Sequence, residues 1–497
     1  MAAEPDRQSH AENADSVSEQ GPQEMGADQT AGRRSLRQRI RSGATWLVLG
    51  RICSMGALLG AHGLLTRLLS EADYAAYAIA SVSAILLATV VVFGTPKMLI
   101  RSLKLQLPGG NTRGARLTIL SCFATIALVA SVALVTFLLG SDYFFDLPRW
   151  RGIRDYSLLV ACWGCLSAFC LVSSRALESL DDFRSAALVG ARNGGVLTNL
   201  LFLVLTIVAH QFGVLSLASV LGLQVALNLL SLALAAYYIR RGLRNYAQRT
   251  PTVASLQQET VTDVPHHNVR WFLKESWPNF IVQMTTMTIN ELQIIVLGFL
   301  ATERSIADYN VVLRLLGVIN SFQTLATTVI APFVAELLAV GKTLRLERIL
   351  RGASTLVALP TLALTGTLML FPEFVLKWGF GENFVGAAWA LRLASVGCTL
   401  HILSGSNSLV MVMSGNQRQL MVYSVAASFF YLAIAIPMIQ RWNIVGAALA
   451  VSLVFGTYNI LVTLLVKSKV GVWTIPTLGP RQIVASVGTL LGRDRTG

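Results

Sequence analysis

Twelve apolar segments, each near the ~20 residues with which a helix crosses the bilayer hydrocarbon core, leave this chain few folds to choose from. They run over roughly 43–66, 75–100, 116–139, 156–177, 186–209, 213–239, 272–300, 306–332, 352–372, 385–413, 419–439 and 444–466. A backbone in lipid has to satisfy its own hydrogen bonds, so each segment reads as a helix. A further apolar stretch, 482–492, is too short to cross. Composition agrees. The 497 residues are 54% hydrophobic and 13% charged, where a soluble domain carries roughly 25% charged residues. The expected fold is an all-α polytopic membrane protein with twelve transmembrane helices.

The net charge of +14 would suit nucleic acid, but its distribution points elsewhere. With the N-terminus in the cytoplasm, loops on that side hold about three times as many Lys and Arg as the other loops, the bias that sets topology. Both ends are therefore expected to be cytoplasmic, and no nucleic-acid partner is expected. Residues 1–42 open with a polar, acidic tail that cannot bury a core and close with a basic run, "RRSLRQRIR" at 33–41. The six cysteines all fall within apolar segments. Even "CWGC" at 162–165 reads as packing, because no partner pair accompanies it.

The segments repeat. "ADY" in "LLSEADYAAY" (68–77) returns in "TERSIADYNVV" (302–312), matching Tyr74 to Tyr309. At nearly the same offset Pro96 matches Pro332, Arg184 matches Arg418, and Gly213 matches Gly446. Four ordered matches predict a chain built twice. After the tail come a six-helix half at 43–239, a linker at 240–271, a second half at 272–467 and a C-terminal tail at 468–497. Six is even, so both halves enter from the same side, as in parallel-repeat transporters whose substrate site lies between the repeats.

Polar residues concentrate on two faces. In the seventh segment Asn279, Gln283, Thr286, Asn290 and Gln293 fall within an arc of about 80°. In the eighth, Asn310, Arg314, Gly317, Ser321, Thr324 and Thr328 do the same. Such faces either glue helices together or line a water-filled cavity, and their length favours the cavity. Glu291 lies at the shoulder of its stripe, at a depth similar to Arg314. Two roles stay open for it: pairing with Arg314, or carrying a coupling proton. Arg51, Lys97 and Arg392 are further intramembrane cations, and His62 and His401 intramembrane imidazoles. Cations exceed acids, which predicts a lumen for an anion: carboxylate, phosphate or pyrophosphate. The candidate cavity set is Arg51, His62, Gln283, Asn290, Glu291, Asn310, Arg314, Ser321, Arg392 and His401. His266 and His267 lack further ligands at metal-binding spacing. No Walker motif, Gly-rich phosphate loop or nucleophile elbow is present, so neither cofactor nor catalysis is expected.

Four stretches resemble one family: 64–101, "LGFLATERSIADYNVVLRL" (297–315), "WGFGENFVGAAWALRLASVG" (378–397) and "VMVMSGNQRQLMVYS" (410–424). The chain is similar to the polysaccharide-transporter family of bacterial flippases for lipid-linked oligosaccharides. Their superfamily also holds multidrug extruders and lipid II flippases. The resemblance implies alternating access in the bacterial inner membrane. The head group of an undecaprenyl-pyrophosphate-linked oligosaccharide would enter a cationic cavity while its tail stays in lipid. Arg314 and Arg392 match positions commonly basic in that family. The implied partners are membrane lipid, the lipid-linked glycan, and polysaccharide polymerase and export proteins. The acidic tail departs from the family pattern. A multidrug extruder is the first alternative, although the first segment holds Arg51 and no acid. A membrane glycan polymerase or ligase is the second, although the outer loop at about 140–155 is short for such an enzyme.

Overall fold

The computed structural model describes residues 49–106, 112–144, 151–190, 195–249, 268–339 and 343–477. The acidic tail, most of the linker including His266 and His267, and the stretch 482–492 lie outside the described residues. Each of the twelve predicted segments is mainly helical where described, and no strand occurs among the described residues. Among the described residues seven helices are long and apolar enough to cross a membrane, or eight if one bent pair counts as a single span. The seventh and tenth predicted segments are broken, and the last two count as one helix across a kink.

The first set of helices opens with α1 (49–68). There follow α2 (Glu71–Val92), α3 (Thr95–Gln106), α4 (Thr112–Phe144), α5 (Ser157–Ser179), α6 (Phe183–Val189), α7 (Val196–Gln211) and α8 (Leu217–Arg249). After the linker comes a second set, α9 (Val269–Asn290), α10 (Leu292–Leu300), α11 (Glu303–Ala339), α12 (Thr343–Leu370), α13 (Pro372–Phe380), α14 (Ala388–Ser404), α15 (Asn407–Met413) and α16 (Gln417–Val470). The last two predicted segments run together as α16, which turns sharply at Asn443 (φ 52°, ψ −128°). The turns that lead into α2 and α11 share chemistry. Ser70 caps α2 by accepting from Asp73 N–H, and Thr302 accepts from Ser305 N–H ahead of α11. A hydroxyl oxygen taking an otherwise orphaned first-turn N–H is what starts a helix at these points.

Three breaks shape the interior. The seventh predicted segment bends by 48° between α9 and α10, and the residue at the bend is Glu291. The cause is local. Thr285, Thr286, Thr288, Asn290 and Gln293 each turn a side chain back onto a carbonyl about one helical turn earlier. Such back-bonding competes with the backbone ladder and bends helices. The same bonds satisfy these polar groups without a neighbour, which lowers the cost of placing them in a membrane. The second break, at Phe93–Gly94, separates α2 from α3. Gly94 has φ +70°, and a Cβ there would stand 2.7 Å from both Phe280 N and Ser276 O. The third divides the tenth predicted segment at Gly405 (φ +70°), where a Cβ would meet Thr474 O at 2.2 Å. Residues 471–477 thread past this point as an extended strap. Thr474 donates to Ser404 O (2.7 Å), and Thr477 N–H donates to Thr355 Oγ1 (2.9 Å). Part of the expected C-terminal tail is thus packed against α12 and α14.

The largest apolar core crosses the boundary between the first and second sets of helices, taking Tyr74, Tyr77 and Phe202 from one and Tyr309, Phe384 and Tyr431 from the other. Repeat-matched elements meet there: α2 packs on α11, and both motif tyrosines, Tyr74 and Tyr309, are fully buried.

Candidate functional site

Between α1, α2 and α11, beside the bend at Glu291, lies a cavity of ≈ 70 Å³. Arg51, Ser54, Asn199, Glu291, Asn310 and Arg314 are its polar lining, and Met55, Leu58, Leu59, Val82 and Leu313 are among its apolar wall. Two guanidiniums face one carboxylate. Arginine keeps its charge in proteins, so the lining favours an anion. Arg314 Nη2 donates to Ser81 Oγ (2.8 Å) across the two helix sets, while its buried Nε meets no partner among the described residues. Arg51 Nη2 reaches Ser321 Oγ at 3.5 Å, also across the sets. Asn199 holds α1 in place by donating to Ser54 Oγ (2.8 Å).

The sequence-derived set divides on this geometry. Arg51, Glu291, Asn310 and Arg314 line the cavity. Ser321 adjoins it through Arg51. Asn290, next to the bend, donates to Thr286 O, and Gln283 lies two turns further toward the start of α9, half-buried. His62 is buried above the cavity among Tyr74 and Tyr77 rather than on its wall. Two residues stand apart. Arg392 lies beside the loop that connects α12 to α14, over the Trp389 ring (4.9 Å) and 3.7 Å from Glu373. It is the fifth residue of α14, away from the cavity. His401 meets Asn459 Oδ1 (3.0 Å) and packs on Phe455 within the second set of helices. The side chain of Thr328 lies outside the described residues. Ser54 and Asn199 were missed from the sequence, because single polar residues in apolar helices carry no periodic signal.

Above the cavity, on the side where α1 turns into α2, the two sets of helices are sealed. Thr66 Oγ1 donates to Phe380 O (2.9 Å), and Arg67 Nη2 donates to Trp378 O (2.6 Å). Arg304 pairs with Glu71 and with Asp308, and stacks over Phe384 at 5.6 Å. Phe384 in turn meets Tyr74 edge-on at 5.9 Å, and Asn310 Nδ2 donates to the Tyr74 hydroxyl (3.1 Å). At the opposite end Phe93 stacks on Phe280 at 4.6 Å, but the stripes of α9 and α11 continue past the cavity to exposed Thr286 and Thr324.

A bundle of apolar helices with a cation-lined cavity where two sets of helices meet is the architecture of a multi-pass membrane protein. The same fold is found in solved transporters of the MOP superfamily. An inward-facing multidrug resistance MATE transporter of that superfamily superposes with a TM-score of 0.62 at 15% identity, covering 86% of this chain and 98% of its own. A MOP transporter from Pyrococcus furiosus gives 0.58 at 16% identity, with 87% and 97% covered. The lipid II flippase MurJ gives 0.55 at 12% identity, with 92% and 93% covered. The chain itself belongs to the polysaccharide biosynthesis protein family, whose model matches residues 40–338. No curated protein matches the sequence.

Proposed function

We propose that this protein is an alternating-access flippase. It moves an undecaprenyl-pyrophosphate-linked oligosaccharide across the bacterial inner membrane for surface or exopolysaccharide assembly. The observation that carries this reading is the cavity of Arg51 and Arg314 at the boundary between the helix sets, in a chain of the polysaccharide biosynthesis family. Diphosphate oxygens would take the free donors of these guanidiniums, and Asn310 would add a neutral donor nearby. A cavity of ≈ 70 Å³ has room for a few waters, whereas drug-sized ligands fill roughly 300–1,000 Å³. A glycan head group therefore requires α1 and α11 to part. With the seal intact, parting happens toward the exposed stripe residues Thr286 and Thr324, at the end bearing the termini. We place that end in the cytoplasm on the strength of the basic-residue bias. Glu291, at the bend, is the hinge-side group: it either balances Arg314 or exchanges a proton during closure. No bond is made or broken, so no catalytic residue is assigned.

The test is delivery of glycan to the outer face in cells carrying Arg314→Ala. Lost delivery with normal protein level supports the reading, and normal surface polysaccharide refutes it. The likeness to multidrug transporters favours a second reading, export of drugs. Susceptibility to cationic dyes separates the two, because the flippase reading predicts that deletion leaves it unchanged.

A further inference from the structure

A second and larger recess lies at the seal itself. A groove of ≈ 740 Å³, open along one side, runs between the end of α1 and α13. Its walls are Gly60 and Leu64 from the first set of helices and Phe374 and Trp378 from the second. Arg67 and Lys377 supply its charge. We propose that this groove binds a polyprenyl phosphate, holding the lipid end of the flipped product in the outer leaflet while its head group leaves. This rests on the flippase reading above.

Three observations favour that occupant. The volume falls within the range of ligand sites, unlike the central cavity in this state. Depth is set by aromatic residues. Trp378 is 78% exposed, and tryptophan is enriched where acyl chains meet head groups; Phe374, 69% exposed, adds apolar surface beside it. The charges complement a phosphate. Arg67 spends one donor on Trp378 O, and the rest of its fork meets no partner among the described residues. Among the described residues Lys377 pairs with Glu382 alone, through side chains 62% and 73% exposed, and exposed pairs exchange readily. A free phosphate would make no use of the apolar wall, and a zwitterionic lipid brings its own cation. The groove also lies along the seam that opening would break, so an occupant there meets both sets of helices.

The experiment is native mass spectrometry of the purified full-length protein with polyprenyl monophosphate. Inorganic pyrophosphate and phosphatidylglycerol serve as competitors. Retention should fall about tenfold or more in Arg67→Gln/Lys377→Gln, since charge-assisted bonds to the phosphate are lost. It should fall similarly in Leu64→Trp, which fills the groove without touching a charge, and persist in Arg314→Ala. Wild-type retention in both groove variants overturns the proposal, as does loss of retention in Arg314→Ala, which would place the lipid in the central cavity. Equal displacement by phosphatidylglycerol would reduce the groove to ordinary lipid contact, and displacement by pyrophosphate alone would remove the lipid from the account. Groove binding by a protein that fails to flip glycan would sink the proposed function and leave this site standing.

Discussion

Arg314 has one hydrogen bond in hand, to Ser81, and a buried Nε with none among the described residues. A donor kept dry and unused costs free energy unless something else takes it. An anion in the cavity would do so. Arg314→Lys keeps the charge but loses the fork that grips two oxygens. Glycan export in that variant should fall about tenfold, measured as surface polysaccharide at matched protein level. The charge-swapped pair Glu291→Arg/Arg314→Glu separates the two roles left open for Glu291. Recovery of function lost in either single variant identifies a pair. Failure to recover, with export still dependent on a proton gradient in Arg314→Lys, identifies a proton carrier. Charge and polarity at these positions were legible in the sequence, because both stripes follow helical spacing. The fates of Arg392 and His401 were not. An apolar run shows that a charge is embedded, but not whether its helix begins there, as α14 does close before Arg392, or which neighbour faces it, as Asn459 faces His401.

The bend at Glu291 belongs to the scale of the helix. Its cause is five back-bonded side chains between Thr285 and Gln293, of which Thr286, Asn290 and Gln293 belong to the polar stripe read from the sequence. Periodicity locates a face and says nothing of what the face does to its own backbone. The turn at Asn443, by contrast, falls in the gap that the apolar pattern leaves between 439 and 444. Two glycines test how the helices seat. At Gly63 a Cβ would lie 2.4 Å from Gly379 O, so Gly63→Val should push α1 off α13 and loosen the seal. Cysteines substituted for buried Asn310 should then gain reactivity toward a water-soluble thiol reagent added from outside. Unchanged reactivity would mean that the seal tolerates the side chain. Gly94→Ala puts a side chain at φ +70° against the α9 backbone, with strain of about 1–2 kcal/mol from the left-handed backbone alone. A lower midpoint of thermal unfolding in detergent is expected. The stripes give a labelling pattern as well. Thr286→Cys and Thr324→Cys should react from the side bearing the termini, whereas Ser321→Cys, 3% exposed in the parent residue, should not until α1 and α11 part.

For the whole molecule, seal and cavity together describe one state of the proposed flippase: closed where α1 meets α13, constricted to water-sized space at the arginines, and lined with polar residues toward the other end. The all-helical membrane fold and the matched motifs could be read directly from the sequence, because bilayer thickness and loop charge act on every segment alike. The width of the cavity could not, since it depends on which of its states the bundle occupies. The central claim is that the arginine-lined boundary carries a lipid-linked glycan across the bilayer. It is met most directly in vesicles holding purified protein and lipid-linked oligosaccharide in the inner leaflet, with a membrane-impermeant glycan-binding lectin outside. Wild-type protein should expose glycan to the lectin over time, and Arg314→Ala should not. No exposure with wild-type protein, or equal exposure with the variant, would contradict the account.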